Sequence, residues 1–506
     1  MWLADLKNGN YRNPVLYADY SDPDAIRVGD DYFMISSSFC NAPALPVLHS
    51  KDLVNWKVVN YVLDKIPEFR YRNPIHGCGV WAPSIRYHEG TYYVCFPMPD
   101  EGIYMTTTKD PFGKWSEPVN IRPGAGWIDP CPFWDDDGKA YLVAGVAKSR
   151  IGYKSVLHMV EMQPDGMGLI GDEVKIFDGN ENDQVTIEGP KMYKRNGWYY
   201  VFAPAGGVKT GWQTVLRSKN VFGPYEYKVV MRQGDSPVNG PHQGAWVDTQ
   251  TGEDWFLHFQ DVYAGGRIVH LQPMHWENDW PVIGVNEVDG CGEPVLRYKK
   301  PEVGATYPID APEDSDFFEG ENLGLQWQWN ANYKKEWYDL ENGQLILHAQ
   351  AADPKTQLCD ISNLLLQKWP APEFSITTCL HLEQMKDGDV AGLVSLGGCY
   401  TALAVQKING KMSLQQRTGN WTKDDEVRTG LGDWNSDVIY MQMKVEKETY
   451  RTFYVGTTEE NLQPVGQMVE ATPGRWVGVK DGLFAINEQG MEGGLVAADY
   501  FVYQEL

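Results

Sequence analysis

The sequence predicts an all-β protein, a five-bladed β-propeller followed by a C-terminal β-sandwich, and three observations predict it. Short runs of β-branched and aromatic residues bounded by Gly, Pro, Asn and Asp fill the 506 residues, and no long window carries a 3.6-residue apolar period. A Gly-containing turn followed by an aromatic, β-branched run recurs five times. Near residues 300–315 the composition turns polar and proline-containing, and a differently spaced set of strands follows.

The five copies are Gly29-Asp-Asp-Tyr-Phe33, Gly90-Thr-Tyr-Tyr93, Gly138-Lys-Ala-Tyr141, Gly197-Trp-Tyr-Tyr200 and Gly252-Glu-Asp-Trp-Phe256. Their last aromatics stand 48 to 60 residues apart, room for several strands per copy. Several copies continue into a Ser/Thr-rich segment ending in an aromatic, such as His49-Ser-Lys-Asp-Leu-Val-Asn-Trp56 and Arg217-Ser-Lys-Asn-Val-Phe-Gly-Pro-Tyr225. That period suits a propeller blade, which cannot bury both faces alone and must pack around a common axis. The competing arrangement is a set of unrelated hairpins in one sandwich.

Lys299-Lys-Pro-Glu302 and Pro308-Ile-Asp-Ala-Pro-Glu-Asp-Ser-Asp316 read as a linker, which predicts a propeller over 1–305 and a jelly-roll-like sandwich over 306–506. Alternating runs such as Gln344-Leu-Ile-Leu-His-Ala349 and Gly392-Leu-Val-Ser-Leu396 supply the sandwich strands.

Composition excludes some classes of function. With 44 Lys and Arg against 68 Asp and Glu, the formal charge is −24, so a phosphate-tracking groove for nucleic acid is not expected. No window approaches the roughly 18 consecutive apolar residues of a membrane span. The eight Cys are scattered without a C-x-x-C pair, which reads as core thiols rather than a zinc site or a disulfide framework. Aromatics reach 13%, an excess that suits both β-packing and stacking on sugar faces. The first residues, Met1 to Lys7, lack the apolar stretch of a signal peptide.

The chemistry is sought where the innermost strands converge. Asp22, Trp81, Asp129 and Glu188 stand 11 or 12 residues before the marker aromatics of their copies, and His242 stands 14 before the fifth. Three carboxylates, a Trp and a His thus share one structural phase. Gathering three acids on an axis costs repulsion and desolvation unless a reaction uses them. Singly, each has a plain structural reading: Asp22 and Asp129 precede Pro and suit turns, while Trp81 and His242 suit a core. Together they match glycoside hydrolysis, in which one acid delivers a proton to the leaving oxygen and a second activates water. A third acid beside the donor raises its pKa and holds it in place.

These motifs in this order resemble glycoside hydrolase family 43. The landmarks are Ser21-Asp22-Pro23 with Ile26-Arg-Val-Gly-Asp-Asp-Tyr32, then His49 to Trp56, Gly79-Val-Trp81-Ala-Pro83, Ile128-Asp129-Pro130 and Ile187-Glu188-Gly-Pro190. The resemblance covers essentially the whole chain and implies the same pairing of propeller and sandwich. It implies that Asp22 is the general base, Glu188 the general acid and Asp129 the modulator of the acid. It further implies that Arg267 contacts substrate hydroxyls, that His242 sits on the central axis, and that Phe39 and Trp81 wall the terminal sugar pocket. By the same resemblance Trp476, in Gly474-Arg-Trp-Val-Gly478, is expected to be an aromatic lent to the pocket rim by the sandwich. The segment Cys40-Asn-Ala-Pro-Ala-Leu-Pro46 departs from the pattern, lacking bulky aromatics, and leaves the first sugar site open between xylose and arabinofuranose.

The resulting expectation is an exo-acting, inverting glycosidase that releases terminal α-L-arabinofuranose from plant-type polysaccharide or oligosaccharide, with β-D-xylose close behind. No cofactor is expected for catalysis. Glu319 and Asp499 are candidate ligands for a structural Ca²⁺. The oligomeric state is left open. The substrate class suggests the bacterial periplasm or cell envelope after removal of a leader, with the cytoplasm as alternative. Two competitors are weighed. A retaining fructan enzyme would need Asn-Asp-Pro and Arg-Asp-Pro triplets where this chain has Ser21-Asp22-Pro23 and Ile128-Asp129-Pro130. A non-catalytic carbohydrate-binding propeller would explain the aromatics but not three acids in phase.

Overall fold

The structure, a computed structural model, describes residues 2–423 and 425–506. Five sheets follow one another along the first part of the chain, four of them four-stranded and antiparallel, and the fourth extended to six strands by Cys291–Glu293, which pairs in parallel with Glu226–Met231, and Val285–Val288. Their inner strands are Asp24–Val28, Ser84–His88, Trp127–Trp134, Lys191–Arg195 and His242–Asp248. Every marker aromatic of the repeat lies in the second strand of its blade, within Asp31–Ile35, Thr91–Met98, Ala140–Val146, Trp198–Ala205 and Asp254–Asp261. The preceding Gly of each copy sits in the hairpin turn with φ between +64° and +90°, a region that costs other residues and not glycine. The repeat is therefore the signature of the first hairpin of each blade.

Blades pack on one another through fully buried side chains. Tyr32, Leu48, Trp56, Trp255 and Leu271 form one continuous cluster between the first and fifth blades. Burying a side chain of that size contributes about 1.5–3 kcal/mol. The ring closes without a shared blade. Asn10–Arg12 pairs with Arg297–Lys299, and Leu16 exchanges backbone hydrogen bonds with Val269 at 3.3 and 3.1 Å. The Asn13 side chain completes the staple, donating to the carbonyls of Leu271 and Val295 at 2.8 Å each.

The C-terminal part is a β-sandwich. One sheet runs in spatial order Gln328–Trp329, Leu365–Lys368, Lys480–Asn487, Asp389–Leu396, Cys399–Ile408, Lys411–Asn420, Val427–Trp434, with Gln350–Ala351 joining Lys480–Asn487. The other runs Tyr338–Glu341, Gln344–His348, Leu495–Glu505, Phe374–His381, Val438–Glu446, Tyr450–Gly456, Gln463–Glu470. Along Val438–Glu446 burial alternates, with Ile439, Met441, Met443 and Val445 in the core, which is the period of a strand with one wet face.

The two domains are joined by backbone hydrogen bonds as well as by packing. Ala42 and Trp329 exchange a pair at 3.1 and 2.6 Å, and Val479 N–H donates to the Ala264 carbonyl at 2.8 Å. Lys480 is buried at this seam and donates to Asn41. All eight Cys are free, five of them buried, as core thiols should be. Among the described residues no helix is long and apolar enough to cross a membrane.

Candidate active site

The five in-phase residues gather at one end of the propeller axis, at or just before the start of the inner strands. Asp22 lies two residues ahead of its strand, and Trp81 and Glu188 three ahead. Asp129 is the third residue of its strand, and His242 opens its own. Local geometry aims them. Asp22 and Asp129 both adopt left-handed φ, +56° and +54°, which Asp tolerates better than most residues. In the third blade the register slips between Ile128 and Cys131, a bulge that contains Asp129 and Pro130. Pro130 has no N–H to give the ladder, and the bulge turns the acid off the strand's regular face. A second slip between His242 and Gly244 does the same in the fifth blade.

Each acid has different partners. The Asp22 carboxylate is buried and accepts from Ser37 Oγ at 2.6 Å on one oxygen and from Arg267 Nη1 at 2.9 Å on the other. Glu188 is the most open of the three, its side chain 26% exposed, and meets His242 Nε2 at 2.9 Å. Asp129 is buried between them and accepts from Gly189 N–H at 2.8 Å and Gln243 Nε2 at 3.1 Å, both on Oδ2. Its pKa is pushed up to about 8, first by burial, then by the negative charges of Glu188 and Asp22. The Gly189 N–H and the buried Lys191 oppose that rise. One buried carboxyl thus feels the charge of both of the others.

Aromatic side chains from both domains reach Arg267, the partner of Asp22. Phe39 is tied to the second blade by paired backbone bonds to Val80, 2.8 and 2.9 Å, and its ring lies 6.1 Å from that of Trp81. Trp476 reaches over from the sandwich, 6.5 Å from the Trp81 ring and 5.7 Å from the Arg267 guanidinium. The structure thus brings together Asp22, Phe39, Trp81, Asp129, Glu188, His242, Arg267 and Trp476. Glu319 is exposed, and the neighbours of Asp499 are Gln344, His381 and Cys379.

Four site residues escaped the sequence reading. Gln243 adjoins His242, and the glycine after it, Gly244, signals the bulge. Lys191 opens its strand as a fully buried cation, donating to Pro83 O and Ser84 Oγ at 2.9 and 2.7 Å. Ser37 carries no local signal. Nor does Asp19, which accepts from the N–H groups of Arg267 and Gly478 at 2.9 Å each and so links the arginine that bonds Asp22 to the sandwich loop bearing Trp476.

The sequence profile of glycosyl hydrolases family 43 matches residues 11–281, which hold all three acids. The chain belongs to glycosyl hydrolases family 43. Residues 315–504 match the β-xylosidase C-terminal concanavalin A-like domain. This family 43 chain is 31% identical to the β-xylosidase of Formosa agariphila over 99% of its own length and 91% of the relative's. It is 30% identical to the non-reducing end α-L-arabinofuranosidase BoGH43B of Bacteroides ovatus, covering 78% and 75% of the two chains. The crystal structure of xylan β-1,4-xylosidase from Bacillus halodurans superposes with a TM-score of 0.84 at 25% identity, covering 98% of this chain and all of that one. The protein is accordingly a glycoside hydrolase.

Proposed function

We propose that this family 43 enzyme is an exo-acting, inverting glycosidase that removes a terminal pentose from plant-type polysaccharide side chains or oligosaccharides. β-D-Xylose is its principal sugar and α-L-arabinofuranose its second. The observation that carries the reading is the meeting of Asp22, Asp129 and Glu188 around one buried carboxyl. The order of the two sugars rests on relatives, because the β-xylosidase match spans nearly the whole chain and the arabinofuranosidase match less of it. It reverses the preference drawn from the sequence alone.

In the proposed reaction Asp22, held by Ser37 and Arg267, takes a proton from a water that attacks the anomeric carbon. Glu188, open to the pocket, gives its proton to the glycosidic oxygen as that bond breaks, and the anomeric centre inverts. Burial and the neighbouring charges of Glu188 and Asp22 hold a proton on Asp129 up to about pH 8. Asp129 also holds the Glu188 loop through Gly189 N–H. Trp476 and the sandwich loop close one side of the pocket, which favours removal of end units over internal cleavage.

Aryl β-D-xyloside, aryl α-L-arabinofuranoside and aryl β-D-galactoside are the substrates to compare, with the first product's anomeric form read by NMR. The expected result is hydrolysis of both pentosides, xyloside faster, with inversion. Glu188→Gln is expected to lower kcat by about 10²–10⁴ while the protein stays folded, the range of a lost general acid. Retention of configuration, or a fully active Glu188→Gln enzyme, would overturn the assignment.

A further inference from the structure

Outside the catalytic acids, one cluster in the sandwich brings a sulfur, a nitrogen and a carboxylate oxygen donor together. Cys379 and His381 are two apart on the strand Phe374–His381 and so point to the same face of the sheet. Asp499 lies on the neighbouring strand Leu495–Glu505, where the register slips between Thr378 and Leu380. One ligand atom from each residue lies within 4.8 Å of the others. His381 Nε2 faces both Asp499 oxygens at 3.0 Å.

The surroundings orient this set as a metal's outer shell would. Gln344 Nε2 donates to Asp499 Oδ1 at 2.6 Å, and the Tyr440 hydroxyl bonds the Cys379 sulfur. Cys379 is buried, which shields it from oxidation, while His381 and Asp499 are half-buried and leave an approach from solvent. Two other mixed clusters are less well built. The Nε2 of His76 already meets the Cys359 carbonyl at 3.2 Å, and His275, Glu277 and Glu287 are all exposed.

We propose that Cys379, His381 and Asp499 form a binding site for one divalent zinc-type cation. A sulfur, a nitrogen and an oxygen donor suit Zn²⁺ or Co²⁺, whereas Ca²⁺ prefers an all-oxygen shell. Zn²⁺ bonds these atoms at about 2.0–2.3 Å, so small side-chain rotations bring three such donors onto one ion. The thiol releases its proton to solvent on binding and the fourth position is left to water, while Glu383, whose carboxylate lies 3.8 Å from His381 Nδ1, is placed to orient the ring from its other nitrogen. The ion would clamp the last strand of the chain to the centre of its sheet, apart from the catalytic acids.

The full chain, stripped with chelator, is titrated with Zn²⁺ by calorimetry and separately with Co²⁺ by absorption. One Zn²⁺ per chain is expected, with a Tm rise of several degrees and a thiolate-to-cobalt charge-transfer band in the near ultraviolet. Cys379→Ser should abolish that band and weaken Zn²⁺ binding at least tenfold, and His381→Ala should abolish binding. Hydrolysis of aryl pentosides should be unchanged in Cys379→Ser. No stoichiometric Zn²⁺, a cobalt complex lacking the thiolate band, or a band that survives Cys379→Ser would overturn the proposal. Because Cys379→Ser is nearly isosteric, the optical readout stands even where His381→Ala fails to fold.

Discussion

Asp129 condenses the energetics of the site into one residue. Its carboxyl is buried beside two other acids and keeps its proton to about pH 8, against about 3.9 for an ordinary aspartate. The sign of the consequence follows directly. Between about pH 4 and pH 8 the folded chain holds a proton that the unfolded chain has lost, so stability falls as pH rises across that window. Each unit of difference is worth about 1.4 kcal/mol. Asp129→Asn carries no such proton, so its urea midpoint is expected to change less between about pH 5 and pH 8 than that of the wild type. Equal slopes would mean that burial of this acid carries no cost. The same variant should be catalytically crippled, which separates the stability of the site from its use.

At the scale of the element, the decisive feature is how each inner strand begins. Asp129 and His242 sit in bulges, and Glu188 sits on a turn whose next residue, Gly189, has φ +60° and a backbone N–H bonded to Asp129. A Cβ at Gly189 would stand 2.5 Å from the Gln243 Cγ, too close to tolerate without movement. Gly189→Ala is therefore expected to displace the Glu188 loop, lowering kcat at least tenfold and Tm by several degrees, as steady-state kinetics and thermal melting would read. The blade hairpins were legible in the sequence because their glycines and alternating aromatics are contiguous. The bulges were less so: Pro130 and Gly244 mark them, but which way a bulge aims its residue depends on the partner strand.

At the scale of the molecule, the pocket is a joint product of two domains. Asp19 accepts from Arg267 N–H and from Gly478 N–H, so the loop carrying Trp476 is tied to the same residue that positions the partner of Asp22. Trp476 is 43% exposed yet faces Trp81 across the rim, a site that packing alone does not require. Trp476→Ala is expected to raise KM for xylo-oligosaccharide about tenfold, equivalent to ~1.4 kcal/mol, with a much smaller change in kcat. An unchanged KM would mean that the sandwich supports the propeller without touching substrate.

The amino-acid order by itself determined the five-blade repeat, the second all-β domain and the three acids in step, because each is written in residues close together along the chain. Only the tertiary structure decided what holds those acids. Arg267 reaches Asp22 across 245 positions, and Gly478 reaches Asp19 across 459. Such contacts exist only once the ring of blades has closed and the sandwich has docked, and no local pattern of polarity or turn residues encodes them.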